Sequence, residues 1–341
     1  MPSSVLRVLS GEAVWPPPLW LMRQAGRYLP EYRQIRAQAG DFITLCTSPA
    51  WAAEVTLQPV RRFRFDAAIL FSDILMLPWA LGWGLAFKEG EGPVLPRFSS
   101  EADLASLSPA SVAGKIGPIL ETVARVRAGL GPETPLIGFA GSPFTVACYM
   151  VEGGGSKEFA RIRTMAQGQP ELFGRLIDVL ADSTVEYLSA QVGAGAQVLK
   201  LFDSWAGVLS PRLFERYVTA PTARIAAALR ARHPDVPMIG FPRLGGLQAG
   251  AYARTAGLQG VAFDTGADLR VALPLVDAMV ATQGNLDPMA LVAGGEALAA
   301  ETRAVLDAVR GRPHIFNLGH GIVPQTPPEH VAELVRLVRA A

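Results

Sequence analysis

Residues 197–205 read QVLKLFDSW, a short and mostly apolar run that ends on an acid and a hydroxyl, Asp203 and Ser204. Runs of this length and composition are typical of buried strands. The chain contains eight of them: 19–22, 67–71, 136–139, 197–202, 238–241, 260–263, 280–283 and 314–318. Between most of them lie amphipathic stretches rich in Ala, Leu, Arg and Glu, among them 116–130, 172–192, 211–232 and 296–310. Alternating strands and helices predict an α/β fold with a parallel sheet.

Eight such runs with no long linker or low-complexity block favour a single (β/α)8 TIM barrel, and two doubly wound sheets remain the alternative. We expect residues 1–341 to form one domain. A short N-terminal extension, 1–13, precedes the barrel. Residues 82–109 are rich in Gly, Pro and Ser, which predicts an excursion or hairpin after the second strand.

Composition narrows the function classes. Half of the 341 residues are hydrophobic, 18% are charged, and the net charge is +1, so nucleic acid is not an expected partner. The sequence contains neither a long uncharged apolar run nor a secretory signal. It therefore predicts neither a membrane-spanning nor an exported protein. Cys46 and Cys148 are far apart and lack metal-ligand or disulfide patterns, which is consistent with a reducing cytoplasm.

Polar residues follow every predicted strand, at the positions where active sites of (β/α)8 barrels form. In chain order they are Arg23 and Arg27, Ser72 and Asp73, Ser142 and Tyr149, Asp203 and Ser204, Arg243, Asp264, Asn285, and His320. This pattern predicts a polar site at one rim of the barrel.

Arg23 and Arg27 are four residues apart and would project from one face if their segment were helical. Paired guanidinium groups bind carboxylates, although a structural pair that bonds Glu31 or a helix C-terminus is an equal alternative. Asp73 lies between apolar residues, so its carboxyl must be paired, neutral or coordinating. Capping the next helix is its alternative role.

Motifs for cofactors are missing from the expected places. GGGSK at residues 153–157 does not satisfy the phosphate-loop pattern, and His314 and His320 lack metal-ligand spacing. The residues alone therefore indicate a barrel enzyme for an anionic substrate, without identifying its reaction.

Three long motifs resemble the uroporphyrinogen decarboxylase family. They are LMRQAGRYLPEYR (21–33), GFAGSPFTVACYMVEGGGSKEF (138–159) and FNLGHGIVPQTPPEHV (316–331), and the resemblance runs from about residue 15 to the end. It implies a cytoplasmic (β/α)8 homodimer that needs no cofactor or metal. The implied reaction converts the four acetate side chains of uroporphyrinogen III to methyl groups, giving coproporphyrinogen III and carbon dioxide in haem biosynthesis. The substrate's own protonated pyrrole would accept the electron pair that carbon dioxide leaves behind.

The resemblance also implies residue roles. Asp73 would accept hydrogen bonds from the pyrrole N–H groups and stabilise the developing positive charge. Arg23 would position and polarise the substrate, and it is also a candidate proton donor. Arg33 is expected to be a surface or structural arginine. The implied catalytic residues are Asp73, Arg23, Tyr149 and His320. The implied substrate-binding residues are Arg23, Gln24, Ala25, Gly26, Arg27, Asp73, Tyr149, Phe202, Ser204 and His320.

One departure from the family pattern is visible at residues 263–265, where Phe-Asp-Thr stands and relatives often carry an Asp-Trp pair. It leaves the packing at the end of this strand in doubt. Two alternatives remain: a corrinoid-linked methyltransferase of similar fold, which would normally need a zinc-thiolate cluster, and a non-catalytic porphyrin-binding protein, which could dispense with Asp73.

Overall fold

The computed structural model of the chain describes residues 3–88 and 92–341. Over these residues, seven parallel strands form a curled sheet in the order β1-β4-β5-β6-β7-β8-β9, and β2 and β3 form a separate antiparallel hairpin. The strands are β1 Ala68–Ile69, β2 Ala86–Lys88, β3 Gly92–Val94, β4 Leu136–Gly141, β5 Val198–Asp203, β6 Met238–Pro242, β7 Gly260–Ala262, β8 Ala281–Leu286 and β9 His314–Leu318. Seven of the eight predicted runs therefore coincide with strands of the parallel sheet.

The first predicted run, 19–22, is the exception. Leu19 makes a single parallel bridge to Phe316 of β9, and its carbonyl accepts from the Asp66 N–H at 2.9 Å, just before β1. The run thus lies between the two edge strands and takes the eighth position, which closes a (β/α)8 barrel. The prediction of a full strand here was wrong.

Side-chain amides explain why this run is not a regular strand. Gln24 accepts the Leu21 N–H on Oε1 at 3.1 Å and donates from Nε2 to the Ala67 carbonyl at 3.2 Å. The Met22 N–H donates to Asn317 Oδ1 at 3.0 Å. Side chains therefore satisfy the backbone groups that a neighbouring strand would otherwise pair with.

Helices cover the outside of the sheet, and several begin with proline at their first position, where no N–H is required. They are α1 Ser4–Leu9, α2 Pro30–Ala39, α3 Phe42–Thr47, α4 Pro49–Phe63, α5 Met76–Ala80, α6 Glu101–Ser106, α7 Ser111–Lys115, α8 Gly117–Gly129, α9 Pro143–Glu152, α10 Ala160–Gly168, α11 Pro170–Gly193, α12 Pro211–Phe214, α13 Ala220–Arg232, α14 Gln248–Ala256, α15 Leu269–Ala272, α16 Pro288–Ala293, α17 Gly295–Val309 and α18 Pro328–Arg339. Short 3₁₀ turns cover Ala206–Val208 and Leu273–Leu275, and a π turn, Glu215–Thr219, joins α12 to α13. The four predicted amphipathic segments correspond to α8, α11, α12 with α13, and α17.

The N-terminal extension and the predicted excursion occupy different ends of the barrel. In α1, Val5 and Val8 are fully buried, and Leu9 packs against Gly260 at the start of β7, so this helix covers the amino-terminal end. The hairpin of β2 and β3 lies within the predicted excursion, which afterwards runs along α9, where the Phe98 N–H donates to the Met150 carbonyl at 2.9 Å. Residues 1–2 and 89–91 lie outside the described residues.

No helix within the described ranges is long and apolar enough to cross a membrane. The organisation of residues 1–341 as one domain stays a prediction.

Candidate active site

Polar side chains collect at the carboxyl-terminal end of the barrel, opposite α1. We call six of them the rim cluster; all are at least partly exposed, and they are Arg23, Asp73, Tyr149, Ser204, Arg243 and His320. Beneath them the barrel interior is closed, since Trp20 and Lys200 have no exposed surface. The rim cluster is therefore where a ligand can reach polar groups while resting on a buried core.

Arg23 adopts a backbone conformation that is uncommon for a residue with a side chain. Its φ is 61°, in the left-handed region, and residues 22–29 form turns, so the helical spacing considered for Arg23 and Arg27 is not realised. The Arg23 side chain lies over Gly321, where any Cβ would overlap it. The glycine after His320 thus makes room for the arginine to cross the rim.

The structural alternative for the arginine pair is not realised either. Glu31 is bound by Arg62, whose Nη1 lies 3.1 Å from both carboxylate oxygens. Across residues 3–88 and 92–341, neither Arg23 nor Arg27 has an ion-pair partner. Both guanidinium groups are exposed and available for an anionic ligand.

Contacts within and beside the RQAGR loop, residues 23–27, hold its shape. Arg33 Nη1 donates to the Arg27 carbonyl at 2.8 Å and to the Tyr28 carbonyl at 3.2 Å, as expected for a structural arginine. The whole Gln24 residue is buried: its side chain closes the barrel, its N–H donates to the Leu21 carbonyl at 3.0 Å, and its carbonyl accepts from the Tyr28 hydroxyl at 2.9 Å. The structure therefore exposes no Gln24 atom for the substrate contact predicted for it. Ala25 and Gly26 are partly exposed between the two arginines.

Asp73 keeps one carboxylate oxygen free. Oδ1 accepts from the Leu75 N–H at 2.8 Å, and α5 has Leu75 at its N-cap position, so Asp73 does not cap that helix. Oδ2 has no hydrogen-bond partner among the described residues. Burial raises the pKa of the Asp73 carboxyl, while the Leu75 N–H and the Arg23 charge lower it and favour the ionised form.

Tyr149 and His320 complete the polar part of the site. Burial raises the pKa of Tyr149, and the nearby Asp73 carboxylate raises it further, so the phenol is a neutral donor. Burial lowers the pKa of His320 to about 4, and the charges of Arg23 and Arg243 act in the same direction. The imidazole is therefore neutral at physiological pH and can either donate or accept a hydrogen bond.

The floor of the site is aromatic. Phe202, predicted to bind the substrate, is partly exposed and lies edge-on to Phe241 with ring centroids 6.2 Å apart. Below it, Lys200 Nζ lies 5.2 Å from the ring centroids of Trp20 and Phe202 and has no hydrogen-bond partner in the described part of the chain. Burial lowers the pKa of Lys200 well below its ordinary value of 10.5.

Asp203, expected at the rim, instead faces the helix layer and is fully buried, because side chains alternate along β5 and Phe202 faces inward. Thr145 Oγ1 donates to Asp203 Oδ1 at 2.5 Å and accepts from the Trp205 N–H at 3.1 Å. This contact ties α9, which carries Tyr149, to the loop after β5. Burial raises the pKa of Asp203 to about 7.

Three more of the expected rim residues are structural. Ser142 is fully buried. Asp264 accepts from the Leu244 N–H at 2.6 Å and from the Gly266 N–H at 2.9 Å, and Asn285 Nδ2 donates to the Asp264 carbonyl at 2.9 Å. These contacts shape the loops after β6 and β7 instead of facing a ligand.

Trp205 had no predicted place at the site, and Arg243 was predicted at the rim without an assigned contact. Trp205 lies against Tyr149 with ring centroids 6.2 Å apart, and Arg243 joins the rim cluster beside it. The position of Trp205 directly after Ser204 and β5 is the signal that could have found it. Thr265, at the departure from the family pattern, is exposed, and its backbone approaches Gly319 so closely that a side chain there would overlap it.

Comparisons with known proteins agree with the three motifs. The family model described as Uroporphyrinogen decarboxylase (URO-D) matches residues 2–341. Uroporphyrinogen decarboxylase from Granulibacter bethesdensis is 63% identical over 99% of each chain, and that from Gluconacetobacter diazotrophicus is 57% identical over 98% of each chain. A methyltransferase from Methanosarcina mazei superposes with a TM-score of 0.81 over 99% of this chain and 97% of its own, but at 19% identity this likeness shows only the barrel fold. The match to the family model and to relatives that are more than half identical shows that this chain belongs to the uroporphyrinogen decarboxylase family.

Proposed function

We propose that this protein decarboxylates the four acetate side chains of uroporphyrinogen III and releases coproporphyrinogen III without a cofactor or metal. The observation that carries the proposal is the free Oδ2 of Asp73, a partly exposed carboxylate beside the Arg23 charge and the Tyr149 phenol. It combines an electrostatic stabiliser for a cation with donors for carboxylates, in a chain of the matching family.

The side-chain chemistry of the site supports binding of a macrocycle that carries carboxylates around its edge. Arg23 and Arg27 hold side-chain carboxylates, since guanidinium groups bind them bidentately and stay charged at any physiological pH. Ser204, Tyr149 and neutral His320 supply further hydrogen bonds. Phe202 provides an apolar surface for the face of the macrocycle, and the Asp73 carboxylate accepts the pyrrole N–H groups at its centre.

The chemistry then follows from charge. Protonation of the pyrrole carbon beside an acetate arm makes the ring cationic, and Asp73 stabilises that cation. The electrons of the bond to the carboxylate flow into the ring, carbon dioxide leaves, and the resulting exocyclic carbon takes up a proton while the ring carbon loses one. Each cycle consumes one proton and converts one acetate into a methyl group.

Arg23 acts by positioning and polarising the acetate rather than by giving up a proton. A guanidinium stays protonated at neutral pH and is a poor acid there. Its left-handed backbone conformation, held between Gly26 and Gly321, is of the kind that functional sites maintain at some energetic cost.

We also propose that the protein is a cytoplasmic homodimer folded as one domain over residues 1–341. Membership of the family supports this assembly, and the two buried free cysteines, Cys46 and Cys148, are consistent with a reducing compartment. Light scattering coupled to size exclusion should give about twice the chain mass of 36.3 kDa, and a single-chain mass at micromolar concentration would contradict the dimer.

The test of the function is anaerobic incubation of the purified protein with uroporphyrinogen III, followed by separation of the products according to their number of carboxylates. We expect conversion of the eight-carboxylate compound to the four-carboxylate product. Binding without any loss of carboxylates would instead identify a porphyrin-binding protein.

A further inference from the structure

Arg243 stands on the far side of the barrel from the RQAGR loop. It follows β6, and among the described strands β6 is four positions away from the 19–22 run in either direction around the barrel. Arg23 and Arg243 therefore rise from opposite sides of the rim. A ligand lying across the barrel mouth meets both.

The contacts of Arg243 direct it into the site. Its Nη1 lies 3.4 Å from the Ser204 carbonyl, and its guanidinium carbon is 5.9 Å from the ring centroid of Trp205, which packs against Tyr149. Its charge acts on His320 together with that of Arg23. Arg243 thus borders residues of the rim cluster on two sides.

No acidic residue neutralises Arg243 within residues 3–88 and 92–341. Its side chain is partly buried, and the long bond to Ser204 uses one of the five N–H donors that a guanidinium carries. A partly buried cation without a counter-ion is unfavourable. The remaining donors are available for an anionic ligand.

The backbone around Arg243 is held rigidly. The Arg243 N–H donates to the Asp203 carbonyl at 3.1 Å, and its carbonyl accepts from the Gly207 N–H at 3.1 Å. The next residue, Leu244, has a φ of 59° and donates its N–H to Asp264 at 2.6 Å. A strained and anchored turn of this kind fixes the backbone position from which the Arg243 side chain extends.

We propose that Arg243 is a second carboxylate anchor for the tetrapyrrole, which binds a side-chain carboxylate at the edge of the macrocycle opposite Arg23 and Arg27. This inference rests on the proposed function. Two anchors on opposite sides prevent a ring-shaped substrate from rotating and tilting, while the Asp73 carboxylate contacts the pyrrole N–H groups at its centre. Arg243 is a substrate-binding residue and takes no part in proton transfer.

The test compares Arg243→Gln with Arg243→Lys, and uses Arg336→Gln as the control because Arg336 is an exposed arginine on α18 without an ion pair in the described structure. Three quantities are measured: the Kd for uroporphyrin III by fluorescence, at low and high salt, and the KM and kcat for uroporphyrinogen III. Loss of one charge-assisted contact should raise the Kd and KM of Arg243→Gln about 10- to 100-fold.

The pattern across variants separates binding from a structural role. We expect Arg243→Lys to retain part of the affinity, kcat to change less than KM, and the Kd of Arg243→Gln to depend less on salt than that of the wild type. Arg336→Gln should match the wild type. An unchanged Kd and KM in Arg243→Gln would overturn the inference, as would equal losses in both Arg243 variants accompanied by a lower Tm. If the wild type itself leaves uroporphyrinogen untouched, the proposed function fails; if it is active and Arg243→Gln has a normal KM, only the anchor fails.

Discussion

Replacing Asp73 with Asn removes one negative charge and keeps the shape of the side chain. The amide oxygen of Asn can still accept from the Leu75 N–H, which Asp73 Oδ1 now binds at 2.8 Å, and the NH2 group then stands in place of the free Oδ2. α5 does not depend on Asp73 as its N-cap. The fold should therefore survive in Asp73→Asn, and the arginine contacts to the carboxylates should keep the substrate bound although one acceptor for the pyrrole N–H groups is lost.

The cost to catalysis is set by the lost attraction between the carboxylate and the cationic pyrrole. Two unit charges about 4 Å apart attract each other by about 4 kcal/mol at an effective dielectric constant of about 20. Arg23 already offsets part of this field, since its charge acts on Asp73. We therefore expect kcat to fall by about 10²- to 10³-fold, in the range found when one preorganised electrostatic group is removed.

The assay is the anaerobic initial rate of carboxylate loss from uroporphyrinogen III, with KM measured in parallel. Asp235→Asn is the matched control, because Asp235 is exposed at the amino-terminal side of β6, away from the rim cluster. A kcat for Asp73→Asn within about threefold of the wild type would remove the electrostatic role of Asp73.

Three further predictions concern single residues. Arg27→Ala should raise KM about 10- to 100-fold with a smaller effect on kcat, because its exposed guanidinium binds a substrate carboxylate. Gln24→Ala should lower the free energy of unfolding by on the order of 2–3 kcal/mol, since it leaves two buried backbone groups without partners. Lys200→Met should raise the free energy of unfolding at pH 7 by on the order of 1–3 kcal/mol, because it removes a buried amine without a partner.

The pH dependence gives Lys200→Met a second readout. Burial lowers the pKa of Lys200 in the folded protein, so unfolding takes up a proton and the wild type gains stability as the pH rises toward 10.5. The stability gap between wild type and variant should therefore narrow with rising pH, and a gap that is constant with pH would contradict this explanation.

Urea denaturation measures both unfolding predictions, with exposed Gln34→Ala as the control for Gln24→Ala. A normal KM in Arg27→Ala would exclude Arg27 from the substrate contact.

Periodicity was sufficient to locate most of the barrel. Seven of the predicted runs are strands of the parallel sheet, and their apolar composition was a sufficient local signal for them. The strand prediction for residues 19–22 was wrong because their backbone is hydrogen-bonded by the side chains of Gln24 and Asn317. The Asn317 contact comes from almost 300 residues further along the chain. Local patterns carry no information about such side-chain pairing.

For the site, motifs located residues better than they assigned contacts. Arg23 and Asp73 both lie in the rim cluster and their roles stay predictions, whereas Asp203 faces the helices, which the alternation of side chains along β5 could have shown. Gln24 belongs to the RQAGR loop, but its side chain hydrogen-bonds backbone groups that close the barrel. Arg243 was predicted at the rim, but it carries no motif, and the sequence gives no sign of the Ser204 and Trp205 contacts that direct it into the site.

The most direct measurement follows the acetate carbons themselves. Uroporphyrinogen III labelled with ¹³C in its four acetate carboxyl groups is incubated anaerobically with the wild-type protein, and the label is traced by mass spectrometry. The proposed chemistry predicts that all four labels leave as ¹³CO2 and that unlabelled coproporphyrinogen III remains. Label retained in the eight-carboxylate compound, or carbon dioxide released from the unlabelled propionates, would contradict it.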